Sequence, residues 1–197
     1  MQELLFWAKS NYIEILGAVS ALIYLYFSIK QNVLLWPLGI ITSVLYVYVF
    51  FNSGFYADMG LNVYYVIISI YGWYYWTKGR GETQNKKKNL PVVSLNRKLS
   101  IKLCIIGLLI FVIIAYVLVK FTDSQVPYWD AFTTAGSIIA TWMLARKIIE
   151  HWLIWVVVDL VSLALYIYKD LYATSVLFIV YTTMAVVGYV TWKKDLK

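Results

Sequence analysis

Apolar residues run along this chain in seven stretches of about 20 residues each, at 12–30, 33–52, 57–77, 100–120, 128–146, 150–168 and 171–192, with polar residues gathered in the breaks. That length matches what a helix needs to cross the hydrocarbon core of a bilayer. Helices are required there because lipid offers a bare backbone no hydrogen-bonding partner. The breaks are short except at 78–99, which is polar, basic and glycine-containing and reads as a mobile linker. The pattern predicts an all-α integral membrane protein with seven transmembrane helices.

The pattern also repeats. Residues 14–78 return, ungapped, as 130–194 at a constant offset of 116. Glu14 answers to Asp130, Lys30 to Arg146, Trp36 to Trp152, Tyr65 to Tyr181, Gly72 to Gly188, Trp76 to Trp192 and Lys78 to Lys194. The expected organisation is therefore a three-helix bundle over 1–77, a basic cytoplasmic linker over 78–99, a bridging helix and loop over 100–126, and a second three-helix bundle over 127–197. Matching helices lie four spans apart and share one orientation, so the repeat is parallel: a 3+1+3 layout of the kind found in SWEET-like transporters. Internal repeats in membrane proteins commonly frame a substrate path, which makes a transporter the leading reading.

Composition agrees and narrows the choice. The chain is 62% hydrophobic and 14% charged, with a mean hydropathy of +0.72, against roughly 25% charged residues in a soluble domain. Met1 to Asn11 carries no basic region of the signal-peptide kind, so the first apolar run reads as a span. One cysteine and one histidine exclude a disulfide framework and a His-rich metal site; no metal site and no cofactor is expected. The net charge of +7 is a topology signal. With seven spans, Lys9, Lys120 and Lys169 fall on one side and the other fourteen basic residues on the opposite side. The positive-inside rule then puts the N-terminus outside and the C-terminus in the cytoplasm of a multi-pass bacterial inner-membrane protein. The lipid bilayer, not nucleic acid, is the partner of this charge.

The sixth stretch carries the candidate chemistry. Trp152, Trp155, Asp159, Ser162 and Tyr166 follow a 3-4-3-4 spacing, which holds them within a helical stripe about 80° wide. A carboxylate in mid-span is expensive, so Asp159 is expected either to serve a ligand or to lock the bundle through hydroxyls. Indole faces beside an anion suit a cationic heteroaromatic ring. A second stripe, on the third stretch, holds Asp58, Asn62, Tyr65, Ser69, Gly72 and Trp76. Its repeat partners keep Tyr, Gly and Trp and replace the polar members, which favours Asn62 as a ligand residue over Tyr65 and Trp76. Asp159 likewise is matched by Ser43 in the first copy. Trp36 joins the candidates as the repeat partner of Trp152, in the sequence Trp36-Pro37-Leu38-Gly39. Thr133, Thr134, Ser137 and Thr141 read as packing. His151, beside Glu150 and Arg146, reads as a solvated residue of the membrane edge, and Cys104 as a small apolar filler. A membrane-embedded enzyme is the alternative class, but no catalytic triad, metal spacing or phosphate loop is present.

Trp36-Pro37-x-Gly39, the block from Tyr56-Ala57-Asp58 through Ser69-Ile70-Tyr71-Gly72-Trp73-Tyr74-Tyr75-Trp76, and Trp152-x-x-Trp155 resemble the PnuC family of vitamin transporters, over about Glu14 to Trp192. The resemblance implies a 3+1+3 fold, facilitated diffusion without ATP or an ion gradient, trapping of the vitamin by cytoplasmic phosphorylation, and a homotrimer. It implies a small-molecule vitamin substrate, nicotinamide riboside first, with thiamine or riboflavin as alternatives, and places Trp152 and Trp155 in the substrate site. Position 62, often Gln in the family, is Asn here, one methylene shorter.

Overall fold

The computed structural model describes residues 12–52, 56–78 and 90–196. They form seven helices: α1 (Tyr12–Ile29), α2 (Leu35–Asn52), α3 (Tyr56–Lys78), α4 (Arg97–Phe121), α5 (Pro127–Ala145), α6 (His151–Tyr168) and α7 (Tyr172–Lys193). Each lies on one of the seven apolar stretches, with no end displaced by more than three residues. The largest displacement, at the start of α4, has a local cause. Asn96 caps the helix by accepting from the Leu99 N–H at 2.8 Å, so the helix begins in polar sequence ahead of the apolar run. Pro127 opens α5 where its missing N–H does no harm.

Four segments are long and apolar enough to cross a membrane by length and composition: α2, α4, α6 and Thr174–Lys193 within α7. Ala18–Ile29 within α1 is apolar but shorter, and α3 and α5 are diluted by Asn62, Tyr65 and Trp76 and by Thr133, Thr134, Ser137 and Thr141. Outward faces carry many large apolar side chains, aliphatic and aromatic. On α4, Ile105, Leu108, Leu109, Val112 and Ile113 are exposed while Leu103 and Ala115 are buried, which only a lipid surround makes stable. Cys104 lies on that exposed surface and not in the interior, a correction to its reading as a filler.

The chain gathers into two compact units, Met1–Ile70 and Tyr71–Lys197. In the first, Leu35, Trp36, Gly39, Ser43, Ile68 and Ser69 are buried. Gly39 brings its helix close to α3, for a Cβ there would stand 3.0 Å from Ser69 Oγ and 3.3 Å from Tyr24 Cε2. In the second, Leu103, Ile139, Met143 and Ile148 form a core that Leu99, Ile110, Trp142 and Ile154 flank. Small residues line α5 on its buried face, and Gly136 lies directly against Val158 of α6.

The repeat is visible in backbone detail. Gln31 and Lys147, 116 positions apart, both adopt a left-handed conformation, φ 52° and 55°, which non-glycine residues rarely take. Around them the hydrogen bonds correspond one for one. Gln31 N donates to Ser28 O as Lys147 N does to Leu144 O; Asn32 N to Phe27 O as Ile148 N to Met143 O; Leu35 N to Asn32 O as His151 N to Ile148 O; Trp36 N to Val33 O as Trp152 N to Ile149 O. The α1–α2 and α5–α6 turns are one structure built twice.

The second turn carries an addition. Residues 90–95, expected within a mobile linker, run beside it: Val93 N donates to Lys147 O and Ile149 N to Val93 O, each at 3.0 Å, and Val92 bridges to Leu196. Glu150 fastens this strap, accepting from Ser94 Oγ and from Leu95 N. Lys147 Nζ donates to Leu90 O at 3.1 Å and sits 4.5 Å over the Trp76 ring. Arg146 receives the Tyr71 hydroxyl as acceptor at 3.0 Å and lies 4.6 Å over Tyr75; that hydrogen bond holds its pKa above the ordinary value. Residues 79–89 lie outside the described residues. Glu150→Ala is expected to remove about 1.5–3 kcal/mol of charged hydrogen bonding from the strap. Hydrogen exchange on a 90–96 peptide reads this directly, and unchanged protection at Leu95 would contradict the fastening role.

Candidate functional site

The stripe expected on the sixth stretch is realised on α6. Trp152, Asp159 and Ser162 are buried, Trp155 and Tyr166 half-buried, while Leu153, Val157 and Leu160 face outward. Val158 is buried as well, against Gly136, so α6 has two covered faces, one on α5 and one carrying the polar stripe.

Along the spans, most hydroxyls are committed to their own helix. Thr42, Thr134, Ser137, Thr141, Ser175 and Thr182 each donate to the carbonyl four residues back, which satisfies the group locally. That supports packing for the α5 hydroxyls. Asp159 and Ser162 behave differently. Asp159 is 6% exposed, and neither side chain makes a hydrogen bond among the described residues. A carboxylate buried at mid-span with no partner is costly, and such groups are rare in spans. The alternative in which hydroxyls hold Asp159 to lock the bundle is not what the geometry gives.

Trp152 is the most constrained member of the stripe. Its indole lies flat on α7 where Gly188 has no side chain; a Cβ there would stand 2.6–2.7 Å from three ring carbons. Trp192 meets it edge-on at 5.8 Å and 87°, and the His151 ring is 4.5 Å away. Trp192 in turn contacts Trp76 at 6.3 Å, whose Nε1 donates to Ala145 O at 3.0 Å. An aromatic column thus ties together the ends of α3, α5 and α7 and the start of α6. Farther along α6, Tyr166 packs on Phe178 at 4.9 Å.

Trp36, Asn62 and Ser69 belong to the first unit. Trp36 is fully buried at the start of α2, Ser69 is buried against Gly39, and Asn62 is half-buried on α3. The side chain of Asp58 lies outside the described residues.

His151 too was misread from sequence. His151 is fully buried, not solvated, and packs against both Trp152 and Trp192. The repeat held the signal: its partner at offset 116 is Leu35, an apolar residue, which marks the position as interior. Among the described residues no cluster of His, Cys, Asp or Glu could hold a metal ion.

Comparison with known proteins places this arrangement in context. The family model described as Nicotinamide mononucleotide transporter matches residues 11–194. The nicotinamide riboside transporter PnuC of Escherichia coli is 26% identical, over 92% of this chain and 85% of the relative. The riboflavin/roseoflavin transporter RibM of Streptomyces davaonensis is 22% identical, over 91% of this chain and 83% of the relative. Among solved structures, the crystal structure of the vitamin B3 transporter PnuC superposes with a TM-score of 0.74 at 21% identity, covering 98% of this chain and 85% of that one.

Proposed function

Since the chain belongs to the nicotinamide mononucleotide transporter family, we propose that its cargo is a cationic heteroaromatic vitamin, nicotinamide riboside first and thiamine second. It is a multi-pass membrane transporter and not an enzyme. The observation that carries the choice of cargo is the unpartnered carboxylate of Asp159, 6% exposed, sharing a helix face with Trp152 and Trp155. A pyridinium or thiazolium ring supplies the charge that Asp159 lacks, and indole faces add attraction worth up to about 2 kcal/mol when desolvated. The isoalloxazine of riboflavin is neutral and leaves Asp159 unmatched, which ranks the cargo of the RibM relative third. Ser162, Tyr166, Trp36, Asn62 and Ser69 complete the set of substrate residues in this reading.

The mechanism is facilitated diffusion by alternating access, with two like-oriented three-helix bundles in a 3+1+3 arrangement and α4 as the bridge. The sequence repeat and its duplicated turn support this organisation. The C-terminus lies in the cytoplasm, where phosphorylation of the vitamin makes uptake one-way, and the transporter works as a homotrimer. No acidic relay accompanies Asp159 along α6, which favours passive over ion-coupled movement. Calorimetry of the purified protein with nicotinamide riboside, thiamine and riboflavin tests the cargo: tight binding of riboflavin alone overturns the reading. In proteoliposomes, flux of the bound vitamin is expected to be indifferent to an imposed proton gradient; uphill accumulation driven by that gradient contradicts passive transport.

A further inference from the structure

The start of α6 buries a polar side-chain nitrogen on each of two adjacent residues, and neither has a hydrogen-bond partner. His151 is 0% exposed. Its Nδ1 stands 2.7 Å from Ile148 O, so that nitrogen carries a hydrogen, and in the neutral ring Nε2 is then an acceptor. Neither His151 Nε2 nor Trp152 Nε1 has a hydrogen-bond partner, and the centroids of the two rings are 4.5 Å apart. One is an acceptor and the other a donor, so a single group able to do both, a hydroxyl, satisfies the pair.

The imidazole is not there for the fold. The first copy builds the same turn with the same backbone hydrogen bonds and puts Leu35, also 0% exposed, at this place. A leucine therefore fills the position and supports the neighbouring tryptophan equally well. What histidine adds is the lone pair on Nε2.

We propose that His151 is a specificity-determining residue that accepts a hydrogen bond from an alcohol hydroxyl of the substrate, while Trp152 Nε1 donates to the same oxygen. The ligand class is a cationic heteroaromatic ring bearing a hydroxylated substituent, such as a ribosyl group. The inference rests on the cargo reading above and assigns its recognition of the sugar, as Asp159 serves the charge. A resident water has the same chemistry, and the test separates the two sources.

The test compares nicotinamide riboside with 1-methylnicotinamide, which keeps the pyridinium and has no hydroxyl, by calorimetry on the full-length protein. In His151→Leu, which borrows the residue the first copy uses and so retains the fold, affinity for the riboside is expected to fall roughly tenfold, the scale of one hydrogen bond. Affinity for 1-methylnicotinamide is expected to stay unchanged. His151→Gln, with a polar group near the Nε2 position, is expected to recover part of the loss, and His151→Asn, which reaches only as far as Nδ1, is not. Equal losses for both ligands would make His151 a packing residue and overturn the proposal. No loss for either would mean that the pair holds only water, and overturns it too. Failure of the wild-type protein to bind any pyridinium or thiazolium ligand is a different result, which removes the cargo reading itself and this assignment with it.

Discussion

Asp159→Asn is expected to weaken binding of nicotinamide riboside by about 1.5–3 kcal/mol, roughly 10- to 100-fold in Kd, while leaving the protein at least as stable as before. Both halves follow from one observation. The carboxylate is 6% exposed and makes no hydrogen bond among the described residues, so the folded protein gains nothing from its charge. At the centre of a membrane-spanning helix that charge costs about 2.5–3.5 kcal/mol on insertion scales. Asparagine has nearly the same shape and carries no charge, so the melting temperature holds or rises. A bound cation loses its counter-charge, and affinity falls. Calorimetry and a thermal melt on the same preparation read the two effects together. Unaltered affinity would take Asp159 out of the site, and a large drop in melting temperature would make it a structural residue after all.

Gly188→Ala is expected to damage the protein from the opposite side of the same stripe. The added methyl would sit 2.6–2.7 Å from three carbons of the Trp152 indole. The ring has no easy retreat, since His151 and Trp192 hold it at centroid distances of 4.5 and 5.8 Å. Overpacking of this kind costs about 1–3 kcal/mol, and any relief comes from moving Trp152, which disturbs the recognition surface proposed above. Substrate affinity is thus expected to fall together with melting temperature. Gly60→Ala supplies the contrast: nothing lies within 4 Å of its Cβ position, and replacing glycine inside a helix then stabilises by about 0.5–1 kcal/mol. If Gly188→Ala melts and binds like the wild type, Trp152 is not fixed by this contact.

The role of Gly188 shows where sequence reading stops. Its pairing with Gly72 across the repeat is visible along the chain, but what lies against it is not. The answer is an indole from α6, brought there because α6 and α7 pack side by side. Gly136 against Val158 is the same case. His151 shows the limit more sharply. Next to Glu150 and Arg146 it looked like an edge residue, because local polarity dominates a reading along the chain. The tight turn before α6, with Lys147 at φ 55°, rotates it inward onto two tryptophans. The strap at 90–95 was hidden for a similar reason: Val92 and Val93 sit in polar, basic sequence, and their partners come from 147–149 and 196.

What the sequence determined by itself was the limits of the seven helices among the described residues, the duplicated pattern, and the grouping of Trp152, Trp155, Asp159, Ser162 and Tyr166 on one face of α6. Those properties depend on hydropathy and on a 3.6-residue period, which are local. The tertiary structure alone decided which polar groups in the spans are left over. The threonines and serines of α5 return their hydrogens to their own helix, whereas His151 Nε2 and Trp152 Nε1 are buried with no partner and Asp159, itself buried, makes no hydrogen bond among the described residues. Burial and hydrogen-bond satisfaction are set by what the other helices bring up to a side chain, and no pattern along one helix contains that.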